Sequence, residues 1–166
     1  MHMQAMYMHV FVGRPRQTRK TLRADASAVV ENCAVWNSRL AARRITQFVD
    51  RELEETGLTT AQLGMMAQIA AASDDTLGAL AARTGLDQST LSRNLRTLES
   101  AELIEIAVVE TDLRRRTVWL TETGARRLEA AIPIWRAAHA KLGKLISPGL
   151  VRRLAEETEA LHSDRR

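Results

Sequence analysis

The stretch from Thr76 to Thr121 constrains this chain most, because its apolar period changes there from helical to strand-like. Thr76 to Arg83 reads as a short helix with Leu77, Leu80 and Ala81 facing inward. Thr84, Gly85 and Leu86 read as a tight turn, since Gly85 enters the left-handed region at no steric cost and Leu86 can plug the angle between two helices. Asp87 is a good N-cap for a second helix, from about 88 to 100. Leu91, Leu95 and Leu98 share one face of it. At about 100° per residue the opposite face centres on Ser89, Arg93 and Arg96, flanked by Thr90, Ser92 and Thr97. Leu103–Val109 and Thr117–Leu120 are β-prone runs. Between them a charged segment, Glu110 to Arg116, ends in three successive arginines and is expected as the tip of a hairpin.

Helix, tight turn, helix and hairpin follow in the order of a winged helix-turn-helix, a unit that reads DNA. The fold class expected is therefore mainly α with a small β-hairpin wing, the DNA-binding unit spanning about 60–121. Residues 1–24 show no periodicity and carry Gly13 and Pro15, so a disordered basic tail is expected there. From Asp25 to about Glu55 one long helix is expected, through Val29, Cys33, Trp36, Leu40, Ile45, Phe48, Val49 and Leu53. Thr59 and Gln62 have the spacing of a capping box, opening a helix through Leu63, Met66 and Ile69. Thr121 caps a later helix that meets Pro133, expected to kink or end it. Ser147 and Pro148 start a last helix with Leu150, Val151, Leu154 and Leu161 on its apolar side. One small winged helix cannot bury helices at both ends of the chain. A homodimer is therefore expected, held by helices about 25–56 and 122–163, within a domain over 25–166.

The charge narrows this reading. The net charge is +4, yet residues 1–25 hold five basic side chains against Asp25 alone, leaving nineteen basic and nineteen acidic side chains in the rest. Thr76–Thr121 itself holds six arginines and six acids. A DNA-binding field must come from placement, not from total charge. The outer face of helix 88–100 carries short side chains plus arginine, not the Glu/Lys mixture of an ordinary solvated face. Short side chains let the backbone approach a duplex, and arginine reads guanine or phosphate bidentately. A basic wing tip suits a narrow, strongly negative minor groove.

Other classes lose ground. Ala and Leu dominate an apolar fraction of 45% with only 4% aromatics, which suits close-packed helices over a sheet core. No apolar run approaches the roughly 18 residues of a membrane helix, and no secretory signal pattern is evident. One cysteine, Cys33, excludes an internal disulfide and fits a reducing cytoplasm. The four histidines show no metal-ligand spacing, so no metal or other cofactor is expected. No nucleophile elbow, P-loop or dinucleotide fingerprint occurs, so no enzyme is expected.

Three stretches together resemble the multiple-antibiotic-resistance (MarR) family of bacterial transcriptional regulators over roughly 28–162: NCAVWNSRLAARRITQFVDREL, LAARTGLDQSTLSRNLRTLESAELIE and DLRRRTVWLTETGARRLEAAIPIWRAA. The most specific signal is the Asp-x-Arg wing followed by Leu-Thr-x-x-Gly. The resemblance implies a dimer with helix 88–100 of each copy in a major groove and wing 110–116 in a neighbouring minor groove of double-stranded DNA. It implies release by a small molecule or oxidant. It makes Arg114 the minor-groove residue, Asp112 its brace, and Arg115 and Arg116 further phosphate or brace candidates. Gln88, Ser89, Thr90, Ser92, Arg93 and Arg96 become the DNA-facing set of the recognition helix.

Two further readings stand beside it. Trp36, Met65, Met66 and Trp135 are candidates to line an effector pocket, although methionine also fills core gaps. In peroxide-sensing members of the family the reactive cysteine corresponds to Val35 here. Cys33 lies two residues earlier, about 200° around a helix, so a thiol switch through Cys33 departs from that pattern. The alternatives to a ligand-released repressor are a redox-sensing regulator using Cys33 and a winged helix that binds protein.

Overall fold

A computed structural model describes residues 20–109 and 112–163. Among the described residues seven helices and one hairpin follow in order: α1 (Lys20–Asn32), α2 (Ala34–Glu52), a 3-10 turn (Glu54–Thr56), α3 (Thr60–Ala70), α4 (Leu77–Thr84), α5 (Gln88–Ser100), β1 (Ile104–Val109), β2 (Asp112–Leu120), α6 (Glu122–Leu142) and α7 (Pro148–Ser163). The chain divides into two compact units, residues 1–43 and 44–166, the division falling within α2.

The expected basic tail lies mostly outside the described residues, and its last part is corrected: α1 already starts at Lys20. Lys, Leu, Arg and Ala here are strong helix formers, and no Gly or Pro follows Pro15 to stop them. The single helix expected over 25–55 is corrected too. It breaks at Cys33, where side chains replace the ladder. Asn32 Nδ2 donates to the Ala28 carbonyl at 2.8 Å, and Asn37 Nδ2 donates to the Glu31 carbonyl at 2.9 Å. Asparagine amides compete with the backbone in this way. Val29, Val30, Val35 and Trp36 of this unit are exposed.

The second unit holds the core. Val49 and Leu53 at the end of α2 join Leu58, the α3 residues Leu63, Met65, Met66 and Ile69, and Leu80 of α4. Leu91, Leu95 and Leu98 of α5, Leu103 just before the hairpin, Ile104 and Val118 of the hairpin, and Leu128 and Ala131 of α6 complete it. Local chemistry sets the element starts. Thr59 and Gln62 form the expected capping box of α3. Thr76, Asp87 and Thr121 each accept a backbone N–H at the start of α4, α5 and α6. α6 passes through Pro133 without ending. The carbonyl that loses its donor there belongs to Glu129, which is exposed and open to water.

β1 and β2 pair antiparallel, Ile104 opposite Leu120, Ile106 opposite Val118 and Val108 opposite Arg116, with an irregularity between Val108 and Val109. The second strand therefore begins five residues earlier than its β-prone run. Arg114, Arg115 and Arg116 belong to β2, not to a loop, and only residues 110 and 111, outside the described set, separate the strands. Nothing between Ala107 and Leu120 is Gly or Pro, so pairing can extend through the charged residues.

Candidate nucleic-acid interface

Two anchors hold the hairpin against the helix-turn-helix. Val118 N donates to the Asp75 carbonyl at 2.9 Å, and Thr76 bridges Thr117 antiparallel, so the residues just before α4 are tied to β2. At the other end Thr121 N donates to the Leu103 carbonyl at 3.1 Å, while Thr121 Oγ1 donates to the Glu102 carbonyl at 2.7 Å. A Cβ on Gly124 would stand 1.9 Å from the Leu103 carbonyl oxygen, so only glycine lets α6 come this close to β1. These contacts explain why Leu120, Thr121 and Gly124 belong in one motif. They join strand, helix cap and close approach.

α4 and α5 meet at Gly85, which adopts φ 61°, the left-handed conformation expected of it. Asp87 caps α5: its Oδ1 accepts from Thr90 N at 2.9 Å and from Ser89 Oγ at 2.6 Å, and its Oδ2 accepts from Thr90 Oγ1 at 2.7 Å. These donors, the Ser89 hydroxyl first, hold the Asp87 carboxyl well below the usual carboxylate range.

The two faces of α5 are sharply divided. Leu91, Leu95 and Leu98 are buried, while Gln88, Ser89, Ser92, Arg93, Arg96 and Thr97 are exposed and Thr90 is half-buried. Among the described residues neither Arg93 nor Arg96 has an ion-pair partner, so both guanidinium groups are available to an outside anion. A cleft of about 790 Å³ lies between α4, α5 and the hairpin. Leu77, Ala81 and Ile106 contribute to its apolar wall, and Gln88, Arg96 and Arg116 are among its polar residues. Arg116 and Arg96 line one cleft with no local signal in the sequence for it, since the join is made by strand pairing across the domain.

One acid, Glu99, borders this cleft as well. Glu99, Glu102 and Glu105 line a different cleft, with Trp119, on the outer side of the hairpin, where Glu105 pairs with Trp119. Arg96 and Arg116 thus line one cleft, Glu102 and Glu105 line the other, and Glu99 borders both. The side chains of Asp112, Arg114 and Arg115 lie outside the described set, and their backbone is that of β2.

The remaining candidates are placed differently. Met65 and Met66 are buried in the core, and Trp135 packs at its margin against His139, ring centroids 4.3 Å apart. Trp36 is exposed in the first unit. Met65, Met66 and Trp135 thus pack in or against the core, and the clefts beside α5, beside the hairpin, and between the 3-10 turn and α6 are lined by other residues. Cys33 is half-buried at the junction of α1 and α2, with its carbonyl accepting Asn37 N at 3.0 Å. No metal-holding group of side chains occurs among the described residues, and no described helix is long and apolar enough to cross a membrane.

A family model described as the MarR family matches residues 56–115. Among solved structures, the M. tuberculosis transcriptional regulator MosR in complex with DNA is 32% identical, covers 81% of this chain and 100% of that chain, and superposes with a TM-score of 0.74. The S. aureus MepR–DNA complex is 26% identical over 78% of this chain and 97% of that one, with a TM-score of 0.64. A mutant MarR from E. coli complexed with operator DNA is 21% identical, covers 80% and 96%, has a TM-score of 0.67, and shares the fold. No curated protein matches the chain by sequence.

Proposed function

The chain belongs to the MarR family of DNA-binding transcriptional regulators, and from that premise we propose a homodimeric, sequence-specific repressor that a small molecule releases from its operator. The observation that carries the DNA-reading part is the outer face of α5. Its short polar side chains and unpaired arginines stand opposite a leucine face locked into the core. In this reading Gln88, Ser89, Thr90, Ser92, Arg93 and Arg96 meet the major groove. Arg114 enters the neighbouring minor groove, braced by Asp112, and Arg115 and Arg116 meet phosphate.

Dimerisation is supported by apolar side chains that the protomer leaves exposed. Leu150, Val151, Leu154 and Leu161 of α7 and Val29 and Val30 of α1 are all in this state. A second copy of the chain would bury them, and a two-fold dimer would then present two α5 helices to half-sites about one helical turn apart. Action on DNA in the cytoplasm follows from the same reading.

The test is affinity for a palindromic operator from the protein's own promoter region against random DNA, at moderate salt. The expected result is a preference of about a thousandfold or more. Equal affinity for both sequences overturns the reading. A thermal-shift screen for small molecules, with each hit assayed for operator release, tests the ligand step.

A further inference from the structure

The first turn of α5 carries information about which hydrogen-bonding partner it can accept. Ser89 and Thr90 each own one hydroxyl proton, and Asp87 takes both, at 2.6 and 2.7 Å. An ionised carboxylate can only accept, so both hydroxyls must donate to it. What they retain for an outside partner is lone pairs. Asp87 also takes the Thr90 backbone N–H at 2.9 Å, so this helix end has spent a donor that would otherwise attract phosphate. Asp87 itself is exposed and repels a phosphate placed there.

We propose that Asp87 is a specificity-determining positioning residue: by holding the hydroxyl protons of Ser89 and Thr90 it turns both into acceptors, so that the first turn of α5 selects a base with an amino group in the major groove, cytosine or adenine, and does not anchor phosphate. The inference rests on the proposed placement of α5 in the major groove. There the cytosine N4 and adenine N6 amino groups are the donors a base edge offers, whereas guanine shows only acceptors and thymine an acceptor and a methyl. Phosphate oxygens are acceptors as well and have nothing to gain from these two hydroxyls. The donors that hold the Asp87 carboxyl well below the usual carboxylate range, the Ser89 hydroxyl first, keep it charged, and therefore accepting, throughout the neutral range.

The experiment is in vitro selection of a randomised operator library by the full-length protein and by Asp87→Asn, Ser89→Ala and Thr90→Val, with salt dependence measured on the selected operator. Asparagine caps helices about as well as aspartate, so Asp87→Asn keeps the start of α5 while its amide nitrogen cannot accept a hydroxyl proton. The wild type is expected to select cytosine or adenine at one position or more of each half-site. Ser89→Ala or Thr90→Val should relax that position about tenfold and leave the salt slope unchanged. Asp87→Asn should relax the same position and no other. If Asp87→Asn keeps the wild-type base profile and merely strengthens binding to all sequences, Asp87 acts through charge alone and the proposal falls. It falls equally if Ser89→Ala and Thr90→Val weaken all sequences alike and lower the salt slope by about one phosphate contact each. A wild type that selects no sequence at all refutes the placement of α5 instead, and with it the premise.

Discussion

Gly124→Ala is the sharpest single test of how the wing is joined to α6. The added Cβ would stand 1.9 Å from the Leu103 carbonyl oxygen and 2.8 Å from its carbon, where carbon and oxygen ordinarily stay about 3.3 Å or more apart. Both near atoms are backbone, so no side chain can swing away. Leu103 is itself 1% exposed and cannot retreat into empty space. Either α6 or the start of β1 must move by more than an ångström. That movement costs about 1–3 kcal/mol as overpacking. It also breaks the 3.1 Å bond from Thr121 N to the Leu103 carbonyl and loosens the Thr121 cap on Gly124 N, at 2.9 Å. Each of those losses is worth about 1 kcal/mol. The total of about 3–5 kcal/mol is a large share of the roughly 5–15 kcal/mol that holds a domain together. Thermal unfolding followed by far-UV circular dichroism should show the midpoint lowered by about 6–20 °C. A change smaller than about 2 °C would mean that the strand and helix are not held at this distance, and the account of the motif would be wrong.

Other outcomes follow from single residues. Glu102 adopts φ 58° as the residue closing α5, with its N–H on the Glu99 carbonyl and the Leu103 N–H on the Leu98 carbonyl. Glycine is preferred at such a site, so Glu102→Gly should raise stability in urea by about 0.5–1 kcal/mol; a loss of stability would refute that strain. Arg114→Ala should weaken operator binding about tenfold or more, on the scale of 1–3 kcal/mol per good contact, and unchanged affinity in a mobility shift removes its minor-groove role. Leu154, 50% exposed on α7, should matter to assembly: Leu154→Glu is expected to raise the dimer dissociation constant about thirtyfold in sedimentation equilibrium, and an unaltered dimer would exclude α7 from the interface. The carboxyl carbon of Asp87, followed by NMR, should titrate below the ordinary carboxylate range. Because its folded-state pKa is lowered, its contribution to stability is complete at neutral pH and is lost as pH falls below the ordinary carboxylate range into strong acid.

Much of the winged helix was legible because its signals are local. The leucines at 91, 95 and 98 and the short polar residues between them belong to one helix, and a 3.6-residue period is enough to separate the faces. The caps at Thr59, Thr76, Asp87 and Thr121 and the turn at Gly85 depend on neighbours within three or four residues. The start of β2 was not legible, because Asp112 to Arg116 has no strand period of its own and becomes a strand through pairing with β1. The candidate pocket residues carry an ambiguous signal for a related reason. Methionine at helical spacing has the same pattern whether it lines a cleft or fills a core, and Met65 and Met66 fill the core.

By itself the sequence determined the kind of molecule: an amphipathic reading helix, its caps, a hairpin after it, and apolar helices at both ends. Backbone propensity and side-chain periodicity act over a few residues, so one strand of sequence is enough to express them. Tertiary structure decided the rest. It set the carbonyl of Leu103 against Gly124, tied Thr76 to Thr117, brought Arg96 and Arg116 to one cleft, and broke the first long helix at Cys33 through two asparagine amides. All of these except the asparagine break join residues far apart in the chain. Their energies depend on distances that no local pattern encodes, and that is why Arg96 and Arg116 are seen to share a cleft only once the stretch from Thr76 to Thr121 is folded.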